Sequence, residues 1–230
     1  ALEKELNKFL FQYERYFNIH YIFGGLIESW ETFSDESNGI SKAEDVRDHW
    51  KKVAKDYDMP MDGSLWIHDP ILSSYPASQM LNAVEALYPD RKKYVLRAVR
   101  EAVFVFDRNI GKKEILEEIL REQKMDVKEV MDYAFKDPGT NLLEEDFKAM
   151  DKFHVRSFPT LIFTNGQNTI TLEGVKTAEE MALVLQEVAG EALVPDEIPE
   201  LQVALQEKER LYYPEIEILY GVSRKEVPDF

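Results

Sequence analysis

Cysteine is absent from all 230 residues. Disulfide frameworks and zinc–thiolate sites are therefore excluded within this chain. Histidine is scarce too: His20, His49, His68 and His154 are the full set, and none falls in a His-x-x-x-His or His-Glu-x-x-His pattern. No metal site is expected from them. No run of roughly 18 apolar residues occurs, so no transmembrane helix is expected. Positive charge is in short supply, with 28 Lys and Arg against 44 Asp and Glu and a formal charge of −16. Nucleic acid and anionic membrane are bound mainly through clustered Lys and Arg, so neither is an expected partner. The 10 glycines make no Gly-x-Ser-x-Gly, phosphate loop or dinucleotide fingerprint. No cofactor is implied.

What is present is core-forming material. Hydrophobic residues make up 44%, with 13 Phe and 11 Tyr, enough for a sizeable core. Leu2, Leu6, Phe9 or Leu10, Tyr13 and Phe17 recur at helical spacing, which predicts an amphipathic helix over 1–16. No capping residue precedes Leu2, as expected of a helix that begins upstream of Ala1. Asn18 to Phe23 reads as a buried strand ended by Gly24-Gly25. Residues 31–42 are polar and loop-like. Ser41-x-x-Glu44 reads as a capping box opening a helix with Val46, Trp50, Val53, Ala54 and Tyr57. Pro60, Gly63 and Pro70 mark 58–72 as a loop.

A helical block follows. Ala77, Met80, Leu81, Val84 and Leu87 share a face over 74–88, with Pro76 in the first turn. Asp90 reads as the cap of the next helix, whose Tyr94 to Phe106 stretch is apolar almost all round, as at a buried centre. Ile115, Leu116, Ile119 and Leu120 mark a further helix. Asp126-x-x-Glu129 caps another, Asp137-Pro138 begins a loop, and Leu143, Phe147, Met150 and Phe153 mark a returning helix. The pattern then changes. Phe158 to Thr164 is a β-rich run, and Asn165-Gly166 signals a two-residue type I′ hairpin leading to a strand over Gln167 to Leu172. Thr177-x-x-Glu180 caps a last helix. Residues 191–199 read as a linker, and 200–230 as a short helical tail. Its Val222–Val227 stretch is like a helix-turn-helix junction, too short and too acidic to bind DNA.

The telling segment is Val155-Arg156-Ser157-Phe158-Pro159-Thr160-Leu161-Ile162-Phe163. Proline cannot donate to a sheet ladder, yet Pro159 opens a strand that hydrophobicity marks as buried. A cis peptide before it would reconcile the two. Proline strand, hairpin strand and helix, preceded by a helical insertion, resemble the DsbA superfamily. Gly24-Gly25-Leu26 and His49-Trp50 are similar to its predicted dithiol–disulfide isomerase branch. The likeness covers roughly residues 1–190.

The resemblance implies an α/β, thioredoxin-like fold interrupted by an all-helical insertion. Residues 1–40 and 147–190 would form the two thioredoxin parts, 41–146 the insertion, and 191–230 a linker and tail. It also implies that a first strand and a Cys-x-x-Cys turn belong just upstream of Ala1. Thiol–disulfide exchange would then be the activity, with a protein or thiol substrate and a cytoplasmic location. A thiolate at the first helix's N-terminus would be stabilised by the helix dipole, attack a substrate disulfide and be resolved by the second Cys. No catalytic residue lies in the chain itself. Ser157, Phe158, Pro159 and Thr160 would bind substrate, with the backbone at Phe158 pairing strand to strand. Two alternatives stand beside this reading. One is a DsbA-like adaptor that binds a transcription regulator and delivers it to a protease, a subgroup that also carries a C-terminal helical extension. The other is the glutathione-dependent kappa-type branch. Trp30, after the Gly24-Gly25 loop, is a candidate cleft residue.

Overall fold

The computed structural model describes residues 2–136 and 139–227. Helix α1 spans Glu3–Tyr13, α2 Ala43–Tyr57, α3 Leu65–His68, α4 Tyr75–Leu87, α5 Lys92–Phe104, α6 Lys113–Glu122, α7 Val127–Phe135 and α8 Gly139–Lys152. Strands β1 (Thr160–Thr164) and β2 (Thr169–Glu173) follow, then α9 (Ala178–Ala189), α10 (Leu201–Lys208) and α11 (Tyr213–Tyr220). The chain divides into two compact units, one made of residues 1–20 and 155–230, the other of 21–154.

In the first unit β1 and β2 pair antiparallel, Thr160 opposite Glu173 and Thr164 opposite Thr169. Leu6, Phe9, Leu10 and Tyr13 of α1 share a core with Met181 and Leu185 of α9, and Leu161 and Phe163 pack against it. The Phe9 and Phe163 rings meet edge to face, centroids 6.0 Å apart. Helix α9 starts as its sequence dictates: Thr177 Oγ1 accepts from the Glu180 N–H (3.2 Å), and Glu180 Oε2 accepts from the Thr177 N–H (2.8 Å). These bonds satisfy two of the free donors at a helix start.

The hairpin differs from the sequence expectation. Gly166 takes φ +86°, but Asn165 is not among the residues with positive φ. Asn165 Oδ1 instead accepts from the N–H groups of Gln167 (2.9 Å) and Asn168 (2.8 Å). Its side chain thus builds the turn, and the loop covers the four positions between Thr164 and Thr169.

Residues 18–23 also depart from expectation. Burial alternates strictly from Phe17 to Phe23, the period of a strand. No ladder forms there, and among the described residues the sheet contains only β1 and β2. Side-chain alternation fixes which way residues face; a ladder additionally requires a partner strand in register.

The segment after α9 runs back along the first unit. The N–H of Leu193 donates to Gln186 Oε1 (3.1 Å) and that of Asp196 to the Gln12 carbonyl (2.8 Å). Arg15 pairs with Asp196 at 2.7 Å. Helix α11 then packs on α1, where Asn7 Nδ2 donates to Glu215 Oε1 at 2.7 Å in a fully buried setting.

In the second unit, α4, α5, α6 and α7 enclose a core of Met80, Val84, Val95, Leu116, Ile119 and Val130. Asp126 Oδ1 accepts from the Glu129 N–H (3.0 Å) and caps α7 as expected. Three local readings shift. Helix α2 starts one residue late, because Asp45, and not Glu44, reaches back to the N–H groups of Ser41 (3.0 Å) and Lys42 (3.2 Å); these bonds hold its carboxyl below the usual range. Pro89–Arg91 forms a 3₁₀ turn ahead of α5, so Asp90 does not cap it. The 58–72 stretch contains the short α3. The expected loop start at Asp137-Pro138 lies outside the described residues.

Gly25 explains part of the Gly24-Gly25 pair. Its φ is +48°, and a Cβ there would come within 2.9 Å of the Tyr75 ring. Glycine alone meets both demands.

Candidate functional site

The proline corner sits at the start of β1 in the first unit. The Phe158–Pro159 peptide is cis, as the buried strand suggested. The corner is tied internally: Thr160 Oγ1 donates to the Ser157 carbonyl at 2.7 Å, and the Gly174 N–H donates to the Pro159 carbonyl at 2.8 Å. The second bond extends the β1–β2 pairing by one step and fixes the corner to the hairpin. Val155 is buried and anchors the approach.

Phe158 points the other way. Its side chain is 49% exposed, although phenylalanine usually lies inside. Among the described residues neither its N–H nor its C=O takes part in a hydrogen bond. The structure therefore places Ser157, Phe158, Pro159 and Thr160 in one tied turn, with an exposed apolar residue whose two backbone groups take no hydrogen bond among the described residues.

The other sequence candidates lie elsewhere and are committed. Trp30 belongs to the second unit's core: its Nε1 donates to the Ile71 carbonyl (2.8 Å) and its ring meets Phe33 and Trp66 edge on. His68 is engaged within its own unit. It closes α3, with Nε2 3.0 Å from Asp107 Oδ2, while Asp69 takes Lys112 at 2.8 Å; that bond to Lys112 holds the Asp69 carboxyl below its usual range. Among the described residues no cluster of His, Asp and Glu could hold a metal ion. None of their helices is long and apolar enough to cross a membrane.

One half-buried polar group is not legible in the sequence. Asp146 Oδ2 accepts from Asn82 Nδ2 (2.9 Å) and from the Phe23 N–H (3.0 Å), joining α8, α4 and the 21–27 segment inside the second unit. Burial raises its pKa above the ordinary value. An aspartate beside Glu144 and Glu145 reads as one more solvated acid, and no local signal separates it from them.

A thioredoxin-like fold with a helical insertion is thus in hand. The thioredoxin family profile matches residues 1–184, and the chain belongs to that family. Among curated proteins it is similar to the ClpXP adapter protein SpxH of Halalkalibacterium halodurans, 31% identical over 176 residues, covering 76% of this chain and 57% of the relative. It is similar to the ClpXP adapter protein SpxH of Bacillus subtilis as well, 25% identical over 232 residues, covering 99% of this chain and 75% of the relative. The chain thus spans little more than half of the first relative's length. Among solved structures it resembles a candidate protein disulfide isomerase from Nitrosomonas europaea, with a TM-score of 0.65 and 15% identity over 80% of this chain and 86% of that one. That likeness shows the fold, and the thioredoxin-like fold expected from the sequence stands.

Proposed function

We propose that this chain acts as an adaptor: it binds a protein client and presents it to the ClpXP protease. The observation that carries the reading is the similarity, over nearly the whole chain, to proteins named as ClpXP adapters. The oxidoreductase reading rests on fold likeness alone, and the thiolate it needs is expected from a Cys-x-x-Cys turn upstream of Ala1. An adaptor requires binding surfaces and no nucleophile. The net charge of −16 favours a client with basic surface. An adaptor of this kind works in the compartment that holds ClpXP, in keeping with the cytoplasmic expectation.

The proline corner is the client contact within the thioredoxin unit. An extended client segment would bond the N–H and C=O of Phe158 and cover its ring, the mode by which a strand adds to an exposed edge. Ser157, Pro159 and Thr160 hold that edge in shape. Replacing Phe158 by Ser is expected to lower client affinity about tenfold, or about 1.4 kcal/mol, and to leave binding of purified ClpX unchanged. The side chain is half exposed, so the thermal midpoint should stay near that of the wild type. Surface-immobilised chain titrated with client and with ClpX measures both. Equal client affinity for the variant and the wild type would remove the corner from the client path. Absence of saturable ClpX binding would count against the adaptor reading itself.

A further inference from the structure

In the second unit a loop holds a leucine out into water. Leu72 is 70% exposed, and Leu26, on the neighbouring segment, is 57% exposed. The two segments are laced together. The Ser74 N–H donates to the Ile27 carbonyl at 2.8 Å, the Ile27 N–H donates to Ser74 Oγ at 2.9 Å, and Ser73 Oγ donates to the same carbonyl at 3.1 Å. Trp30 Nε1 holds the Ile71 carbonyl. Ile27 and Ile71 are buried, so the bonded segments send one isoleucine inward and one leucine outward each.

The loop is also pinned from behind. Asn109, itself buried, donates to the carbonyls of Asp69 (3.0 Å) and Pro70 (3.3 Å). Gly111 lies against it so closely that a Cβ would fall 2.9 Å from the Ser73 carbonyl oxygen. Leu72 is therefore exposed on a stitched backbone, where it gains nothing for the fold. Rigid display of an apolar side chain lowers the ordering cost of binding, and apolar residues grouped on a surface mark interaction sites.

Charge indicates what would sit there. No Lys or Arg occurs between Arg15 and Lys42 or between Lys55 and Arg91, the stretches that supply both segments. Glu28 and Glu31 are exposed next to Leu26 and enter no ion pair among the described residues. Lys112, which reaches the loop, is committed to Asp69. An apolar pair flanked by uncompensated carboxylates is complementary to apolar side chains interspersed with Lys or Arg.

We infer that Leu26 and Leu72 form a docking surface for a cationic amphipathic segment of a protein client. The partner's being a client rests on the adaptor reading above; the surface itself does not. The probe is a short fluorescein-labelled peptide of Leu and Lys in amphipathic helical order, with a twin carrying Glu for every Lys, titrated by anisotropy against the full chain. The Lys peptide is expected to bind and its twin not to. Leu72→Ser, which leaves every charge in place, should weaken the Lys peptide about tenfold, and Glu28→Gln with Glu31→Gln should weaken it several-fold. Undiminished binding to Leu72→Ser, or equal binding of the twin, would overturn the surface. The same variants in a ClpXP turnover assay separate the two readings. Wild-type stimulation by Leu72→Ser would reject the surface and keep the adaptor. No stimulation by any form, with peptide affinity still dependent on Leu72, would reject the adaptor and keep the surface.

Discussion

Removal of residues 193–230 is expected to unfold the thioredoxin unit rather than trim it. Helix α11 places Ile216 and Leu219 in buried positions, and Ala204 of α10 is fully buried. Covering side chains the size of Ile and Leu contributes about 1.5–3 kcal/mol each. Deletion would also leave the Asn7 amide, buried in α1, without its bond to Glu215; a hydrogen bond to a charged group contributes about 1.5–3 kcal/mol. Together these terms reach on the order of 5 kcal/mol or more, against a whole-domain stability of roughly 5–15 kcal/mol. The readout can be split. Trp30, Trp50 and Trp66 all belong to the second unit, so tryptophan fluorescence follows that unit, whereas far-ultraviolet circular dichroism follows both. The truncated chain should keep its fluorescence transition and lose part of its helical signal at 25 °C. A truncated chain with the full-length helical signal and melting curve would show that the tail is an appendage.

Replacing Asp146 by Ala should destabilise the second unit by about 2–5 kcal/mol, since two donors inside it, Asn82 Nδ2 and the Phe23 N–H, lose their acceptor. Replacing it by Asn should cost little or stabilise. Both donors approach one oxygen, which an amide also provides, and the burial cost of the carboxylate disappears. The pH dependence follows from the raised pKa. The native state holds the proton more tightly than the unfolded chain, so the contribution of Asp146 is most favourable below the unfolded value and declines as pH rises through the ordinary carboxylate range to the raised value. Wild-type stability minus Asp146→Asn stability should therefore fall as pH increases from about 3.8, then level off. Urea unfolding followed by tryptophan fluorescence gives that difference. A difference that rises with pH would mean that Asp146 is held as a favourable charge.

Local chemistry accounts for what the sequence made legible. Thr177 and Glu180 are three residues apart, and their cap follows from that spacing alone; so do the Asp126 cap and the proline corner at Pro159. Asn18 to Phe23 displays the limit. Its alternation was readable, but a ladder depends on a second segment that alternation does not specify. At Asn165-Gly166 the glycine behaved as expected and the asparagine side chain took over the turn. The polar contacts that join distant segments were opaque. Asn7 and Glu215 lie 208 residues apart, and each is an ordinary polar helix residue by its neighbours. Leu72 looked like one more loop residue, because its exposure is set by Asn109, Gly111, Trp30 and Ser74.

The adaptor reading is tested most directly by reconstituted degradation. Purified ClpX and ClpP, with ATP and soluble proteins from the source cells, are incubated with and without the full chain, and individual proteins are followed by quantitative mass spectrometry. The account predicts that a small set of proteins disappears at least several-fold faster when the chain is present, that the chain itself persists, and that Phe158→Ser reduces the effect. Unchanged decay of every protein, or decay of the chain alone, would contradict it.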